Sequence, residues 1–217
     1  MAMTTRRPLA AVLAAVLLWG AAATGAVAHP HVFITFETTV LYENGTFVGV
    51  RHKWTFDEFY TAMAIEGLDK NKDGIYDREE LAELAKVNID GLKDFSYFTY
   101  PTLAGKELKL AEARDYWLEH KDGALSLYFT LPFESPVLSE AKGLTVSVYD
   151  PTYFIAFDFA KSDPVKLSEG APKGCEAKVA TAPQKPGENA ALDALQAQLG
   201  PYAAGLAKTI VVECSAP

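Results

Sequence analysis

The sequence predicts an α+β protein, mainly an antiparallel β-sheet or sandwich with an inserted EF-hand-like helix-loop-helix and a C-terminal helix. Three observations support this fold class. Segments rich in β-branched and aromatic residues alternate with Gly, Pro and Asp turns, which is typical of short antiparallel strands. Residues 69–80 carry oxygen donors at the spacing of a calcium loop. Residues 187–207, rich in Ala, Leu and Gln, are typical of a helix.

The first segment, residues 1–28, has the features of a cleavable secretory signal. Two arginines precede an apolar stretch, and the triplet 26–28, Ala-Val-Ala, fits cleavage after Ala28. The apolar stretch is shorter than the roughly 20 residues that a spanning helix needs, so a retained anchor is the less favoured alternative. We therefore expect an exported periplasmic protein in which residues 29–217 form a single domain.

The charge of the chain argues against a nucleic-acid partner. The full sequence has a formal net charge of −8, and removal of a signal that holds two Arg and no acid leaves −10. An acidic surface disfavours phosphate backbones. The sequence also has no glycine-rich phosphate loop and no nucleophile motif, so we expect a binding protein and not an enzyme.

A β-hairpin is predicted directly after the signal. Residues 32–42 and 46–56 alternate in polarity, and the Asn-Gly pair at 44–45 is the preferred two-residue hairpin turn. The hairpin therefore supplies the first two strands of the sheet.

The register of this hairpin follows from its turn. A two-residue turn sets Glu37 opposite His52, and His31 opposite Glu58. On this register, we expect His52 to be a surface partner of Glu37. His52 would then lie roughly 20 Å from His31, too far for the two rings to share one ion.

The loop of residues 69–80 matches the twelve-residue EF-hand pattern. Calcium prefers six to eight oxygen ligands, and Gly74 at the sixth loop position supplies the sharp turn. Apolar residues recur at helical spacing on both sides, so we expect the helical insert to span about 57–88. The predicted Ca²⁺ ligands are Asp69, Asn71, Asp73, the backbone carbonyl of Ile75, Asp77 and Glu80.

The use of this calcium is also predicted from the sequence. EF-hands usually work in pairs, and no second loop of this pattern is found, so a structural calcium is favoured over a cooperative sensor. The alternative is an acidic turn that binds no ion.

Signal cleavage would expose a second candidate metal site at the mature N terminus. The free amine, the His29 ring and the His31 ring form a nitrogen-rich set suited to Ni²⁺, Co²⁺, Zn²⁺ or Cu²⁺. Pro30 lacks the amide hydrogen that the amino-terminal copper/nickel motif needs, so a histidine brace or a bridging arrangement is expected. Asp57 and Glu58 are the candidates to complete this site. The alternative is that the two histidines simply begin a strand.

The chain turns strand-rich after the helical pair. Asp150 precedes a proline and is expected to begin a turn, although its carboxylate is also a possible ligand. His120 is expected in an exposed hairpin turn. The predicted strands are 95–100, 107–118, 124–131, 144–149 and 153–159.

The C-terminal segment, residues 161–217, contains both cysteines of the chain. Cys175 and Cys214 are far from any metal-thiolate spacing, and an exported protein meets an oxidising compartment. We therefore expect one disulfide between them, joining predicted strands at 176–179 and 209–213.

Several ordered motifs resemble those of one bacterial family. They are the signal followed by HPHVFI at 29–34, WTFDEF at 54–59, the loop at 69–80 and YDPTY at 149–153. The chain resembles a periplasmic family of unknown function, catalogued as the periplasmic component of an uncharacterised ABC-type transport system. Genes of that family often lie beside nickel/cobalt-type efflux permeases. The resemblance therefore implies a role in transition-metal handling, with an inner-membrane metal permease as partner.

Three functions are consistent with these features. The leading hypothesis is a periplasmic metal-binding accessory protein of a transition-metal transport or homeostasis system, with a structural calcium. The second is a calcium-dependent interaction module without a transition metal. The third is a copper oxidase, because an N-terminal His resembles the copper brace of lytic polysaccharide monooxygenases.

Overall fold

The computed structural model describes residues 30–152, 154–180 and 207–215. The predicted signal and His29 lie outside the described residues. Apart from Ala207, so does the helix predicted at 187–207.

The described residues form a mostly β structure with two α-helices inserted after the second strand. This agrees with the predicted β-rich α+β class. The elements, in chain order, are β1 Val32–Glu43, β2 Thr46–Phe56, α1 Glu58–Ala64, α2 Ala82–Lys93, β3 Thr99–Leu103, β4 Lys106–Glu107, β5 Arg114–Lys121, β6 Ala124–Leu138, β7 Leu144–Val148, β8 Ile155–Phe159, β9 Val165–Leu167, β10 Cys175–Val179 and β11 Lys208–Cys214.

The strands form two sheets that share one hydrophobic core. The first has the order β5-β6-β2-β1-β8, with β9 also beside β1, and the second has the order β10-β11-β7-β3-β4. Fully buried side chains come from both sheets, with Phe36 and Trp54 in the first and Val146 and Ile210 in the second. No helix in the described part of the chain is long and apolar enough to cross a membrane.

The first sheet is mixed, whereas the sequence predicted a mainly antiparallel sheet. β1 is antiparallel to β2 but parallel to both β8 and β9. A parallel pair needs a long crossover, and the chain between β1 and β8 supplies it by passing through the helices and the second sheet. The alternation of polar and apolar residues could not show this, because successive side chains point to opposite faces in both parallel and antiparallel strands.

The predicted hairpin register is wrong beyond the turn. The register shifts between Leu41 and Tyr42, because Val48 is an extra residue on β2. Beyond this bulge Glu37 pairs with Lys53, with 2.9 Å between the Oε1 and Nζ atoms. His52 therefore lies on the opposite face of the sheet from the predicted one.

Gly49 explains where the bulge occurs. A Cβ atom at this position would lie 2.4 Å from the carbonyl oxygen of Leu131 and 2.8 Å from Cα of Pro132. The backbones of β2 and β6 approach so closely that only glycine fits. A glycine inside a strand is the sequence signal for a bulge or a close approach, and it could have corrected the register.

His52 is buried and joins the two sheets through hydrogen bonds. Its Nδ1 atom lies 2.8 Å from the Thr38 hydroxyl and its Nε2 atom 3.2 Å from the Thr99 hydroxyl. The Thr99 hydroxyl donates to the Tyr97 carbonyl at 2.8 Å, so it accepts from Nε2–H, and Nδ1 accepts from Thr38. Burial lowers the pKa of His52 from 6.5 to about 3.

The predicted disulfide is present. Cys175 and Cys214 are bonded and face each other across β10 and β11, the strands at one edge of the second sheet. The bond closes a loop over a sequence separation of 39 residues. By chain entropy such a crosslink contributes about 4 kcal/mol to stability.

We expect the neutral His52 to make the protein acid-sensitive. The pKa of His52 is lower in the folded chain than in the unfolded chain, so stability falls as the pH drops from about 6.5 towards 3. Over this range, His52 lowers the free energy of unfolding by about 1.4 kcal/mol for each pH unit. Thermal unfolding of the protein and of His52→Gln across this pH range measures it. The variant should show the shallower dependence, and equal slopes would contradict this assignment.

Candidate functional site

The first candidate site lies where two parallel strands begin. His31 precedes β1 and Phe154 precedes β8, and parallel strands that pair begin at the same edge. The backbone N–H of His31 donates to the Phe154 carbonyl at 2.9 Å, and the two rings stack with centroids 5.0 Å apart. The His31 side chain is exposed.

Asp57 lies at the same edge because β2 ends there, antiparallel to β1. Its Oδ2 atom accepts from the Phe33 N–H at 2.8 Å, and its own N–H donates to the Phe33 carbonyl at 3.0 Å. Its Oδ1 atom accepts from the Tyr60 N–H at 2.8 Å, which caps α1. Both oxygens of this predicted ligand therefore already hold the backbone.

Glu58 differs from its neighbour. It is the first residue of α1, is exposed, and places a carboxylate in the first turn, where the helix dipole favours negative charge. The structure thus brings His31 and Asp57 to one edge of the first sheet. The remaining predicted ligand, His29, lies outside the described residues.

The second candidate site is the loop of residues 69–80, which joins α1 to α2. Gly74 has a φ of 80°, as the predicted turn requires, and Lys72 also has a left-handed φ of 63°. Asp69 accepts from the Asp73 N–H at 3.2 Å and from the Gly74 N–H at 3.0 Å. Side-chain oxygens thus organise the backbone of the first half of the loop.

Three more predicted ligands point back onto the loop. Asn71 Oδ1 accepts from the Asp73 N–H at 2.9 Å, and Asp73 Oδ1 accepts from the Ile75 N–H at 2.7 Å. Asp77 Oδ1 accepts from the N–H groups of Glu79 and Glu80 at 2.8 and 2.9 Å. Each short polar side chain caps the backbone two or three residues further on.

Glu80 connects the two ends of the loop. Its Oε1 atom accepts from the N–H groups of Lys70 and Asn71 at 2.8 and 3.4 Å, and its Oε2 atom accepts from the Asp77 N–H at 3.3 Å. The side chain is almost fully buried, with 9% of the residue surface exposed. A buried carboxylate needs such donors or a cation.

The loop is attached to the β5–β6 hairpin. Tyr76 packs edge-on against the His120 ring with centroids 5.0 Å apart, and the Arg78 guanidinium lies 4.7 Å from the centre of the Trp117 ring. His120 is therefore a half-buried residue of β5, which corrects the expectation of an exposed turn histidine. In paired EF-hands a second loop packs beside the first, whereas here the hairpin packs against this one.

Asp150 is a turn residue, as expected. Its Oδ1 atom accepts from the N–H and hydroxyl of Thr152, both at 2.8 Å, and its Oδ2 atom accepts from the N–H groups of Phe154 and Ile155. Asp150 is 3% exposed. It holds the segment that carries Phe154 to the start of β8, next to His31.

Neither candidate site has a closed metal-ligand cluster. Within residues 30–152, 154–180 and 207–215, no group of three or more His, Cys, Asp or Glu side chains is arranged so that it could hold a metal ion. In the loop, each of the four predicted carboxylate ligands accepts a hydrogen bond from at least one backbone N–H group. Calcium and transition-metal binding therefore stay predictions. The donor atoms at each site are of the chemical type that the predicted ion prefers.

Comparisons with known proteins identify relatives without a described activity. The model of a family described as "Protein of unknown function (DUF1007)" matches residues 13–214. An uncharacterised protein of Haemophilus influenzae is 29% identical over 155 residues, which cover 71% of this chain and 74% of that protein. An uncharacterised 15.5 kDa protein of Spirochaeta aurantia is 34% identical over 99 residues, covering 46% and 70%.

We expect Asp57→Asn to destabilise the metal-free protein. An amide group cannot accept from both Phe33 and Tyr60, so one backbone N–H loses its partner at a cost of roughly 1–2 kcal/mol. The matched control is Glu58→Gln, because Glu58 is adjacent and exposed. Thermal unfolding in the presence of a chelator should show a lower Tm for the first variant only. Equal Tm values would mean that Asp57 is not a structural residue.

Proposed function

Because this chain belongs to the DUF1007 family, whose function is unknown, we propose a function from its own residues. The protein is an exported metal-binding accessory protein of a transition-metal transport or homeostasis system. Its loop of residues 69–80 binds a structural calcium, and its mature N terminus binds the transition metal. Binding and exchange of the ion are the activity, without chemical turnover.

Export is supported by the disulfide. Cys175 and Cys214 are bonded in the second sheet, and such bonds persist in oxidising compartments such as the periplasm. A cleavable signal at residues 1–28, with cleavage after Ala28, supplies the route. The inner-membrane metal permease is the proposed partner.

The position of Glu80 carries the calcium proposal. This side chain stands at the twelfth loop position, which supplies two oxygens in a calcium loop, and it already reaches both ends of the loop. The loop offers carboxylate, amide and carbonyl oxygens, the donors that hard cations prefer. When bound, calcium would replace the backbone N–H groups as the partner of these oxygens.

We expect calcium to stabilise the protein through this loop. At free calcium one hundred times the Kd, linkage adds about 2.7 kcal/mol, or a Tm increase of roughly 5–10 °C. Calorimetric titration gives the Kd, and Trp117 emission offers a second signal because Arg78 lies over that ring.

A pair of loop variants tests the same proposal. Glu80→Gln should weaken calcium affinity at least about tenfold, because it removes a charged ligand. Glu79→Gln is the control, since Glu79 is exposed and occupies a position that is not a ligand in the pattern. No calcium-dependent rise in Tm, or the same loss in both variants, would reject the calcium site.

The transition-metal proposal is supported by the accessibility of His31. The exposed imidazole lies at the edge of the first sheet where the chain enters β1, so a ligand set that includes His29 and its amine is close in sequence. Neutral imidazole and amine nitrogens suit Ni²⁺, Co²⁺, Zn²⁺ and Cu²⁺. Asp57 is committed to the backbone, so Glu58 is the freer carboxylate for this ion.

We expect tight binding only when His29 is the first residue. The mature chain with an authentic His29 terminus should bind one ion, and a chain with one additional N-terminal Ala should bind at least about tenfold more weakly, because the amine is displaced. Calorimetry with each metal, in the presence of calcium, measures both. His31→Ala tests the second ring.

Two outcomes would replace this proposal. If neither chain binds a transition metal, the histidines only begin β1, and a calcium-dependent interaction module becomes the better function. If the copper-loaded protein consumes a reductant and oxygen, the histidine-brace oxidase is the correct class.

A further inference from the structure

An apolar groove lies between the helical insert and the turn that precedes β8. It has a volume of about 490 Å³. Phe98 is buried in its floor, and Val87, Phe95 and Phe154 are 52–57% exposed at its rim. Gly91 of α2 and Ile155 of β8 also line the groove.

Gly91 leaves open space in the groove beside α2. It lies inside α2, where glycine costs about 1 kcal/mol relative to alanine. A Cβ atom at this position would contact nothing within 4 Å, and Gly91 has no left-handed φ. The fold therefore does not need a glycine here, and a side chain at this position would extend into open space beside the groove.

The backbone that leads into the floor of the groove is strained. Ser96, Tyr97 and Phe98 have φ values of 52°, 52° and 46°, which are unfavourable for residues with side chains. This left-handed turn places Phe95 on the rim, stacked on Phe98 with ring centroids 5.4 Å apart. Backbone strain of this kind concentrates at binding sites, because the surrounding structure must maintain it.

Acidic residues of α2 flank Val87, which lines the groove. Glu83, Asp90 and Asp94 follow the same helical stripe as Val87, at spacings of three or four residues. Lys86 is paired with Asp90, so it does not offset the other two carboxylates. Within the described residues, Glu83 and Asp94 form no ion pair.

The whole segment that holds α1, the loop and α2 also carries a net negative charge. Residues 57–95 contain eleven acidic and five basic residues, a net charge of −6. A bound calcium would leave −4. This charge favours a cationic occupant and disfavours an anionic lipid surface.

We propose that this groove binds a short basic amphipathic helix of a partner polypeptide. Leucine-like side chains of the partner would enter the space beside Gly91 and contact Phe98. Its Lys and Arg residues would lie next to Glu83 and Asp94. Helix-in-groove recognition uses this combination of apolar anchors and flanking charge. The proposal does not depend on a transition metal at the N terminus.

A groove-filling variant tests the proposal without weakening the fold. Gly91→Leu should raise the Tm, because glycine is replaced by a good helix former, while the new side chain occupies the groove. Ala82→Leu is the matched control, because Ala82 is an exposed residue at the start of the same helix. The charge variant is Glu83→Lys with Asp94→Lys.

The probe is a fluorescent model peptide of about 18 residues, with leucine at helical i, i+3, i+4 spacing and lysine elsewhere. Binding is measured by anisotropy with the full mature chain in calcium buffer. We expect binding that Gly91→Leu and the charge variant each weaken at least about tenfold, and that Ala82→Leu leaves unchanged. Raising the salt concentration should also weaken it.

Four results would overturn the proposal. One is absence of peptide binding, and another is equal binding of a peptide with the same composition but a scrambled order. The third is self-association of the chain that Gly91→Leu abolishes, which would mean that a second copy covers the groove. The fourth is binding of the chain to phosphatidylcholine vesicles that Gly91→Leu abolishes. This result would mean that a lipid surface covers the groove.

Discussion

The extra residue at Val48 determines which face of β2 enters the core, and most of the first sheet depends on it. Without the bulge, Lys53 and Thr55 would face inward and Trp54 outward, because neighbouring strand residues point to opposite faces. The bulge is possible because Gly49 lets β6 approach to contact distance. Inward-facing His52 then meets Thr38 and Thr99, and this buried polar contact joins the two sheets.

The same register brings the end of β2 to the start of β1. Asp57 can therefore bond to Phe33 with both its carboxylate and its backbone, and cap α1 at the same time. One residue thus fixes where the helical insert leaves the sheet. The parallel pairing of β1 with β8 adds Phe154, so that residues distant in sequence surround the position of His31.

The helical insert connects the proposed sites. Its loop rests on the β5–β6 hairpin through Tyr76 and Arg78, and its two helices form one side of the groove. The Tyr60 hydroxyl donates to Asn88 at 3.1 Å, which ties α1 to α2 across that side. The insert begins at Asp57, which also bonds to Phe33 at the N-terminal edge, so the insert joins that edge to the loop and the groove.

The sequence by itself determined the features that depend on local chemistry. The first hairpin, the Asn-Gly turn, the presence of two helices after it, the Gly74 turn and the cysteine pair were predictable, because each follows from neighbouring residues or from composition. The element bounds were less so: the insert predicted to end near residue 88 continues to Lys93, and the strand predicted at 95–100 begins only at Thr99. The spacing of oxygen donors from Asp69 to Glu80 is also visible in the sequence, and calcium binding by these residues stays a prediction.

Only the tertiary structure decided the rest. The burial of His52, the parallel partners of β1, the structural role of Asp57 and the contact of Tyr76 with His120 all depend on strand register and sheet order. Sequence periodicity fixes which residues share a face, but a single bulge reverses the faces, and no local signal names the partner of a strand.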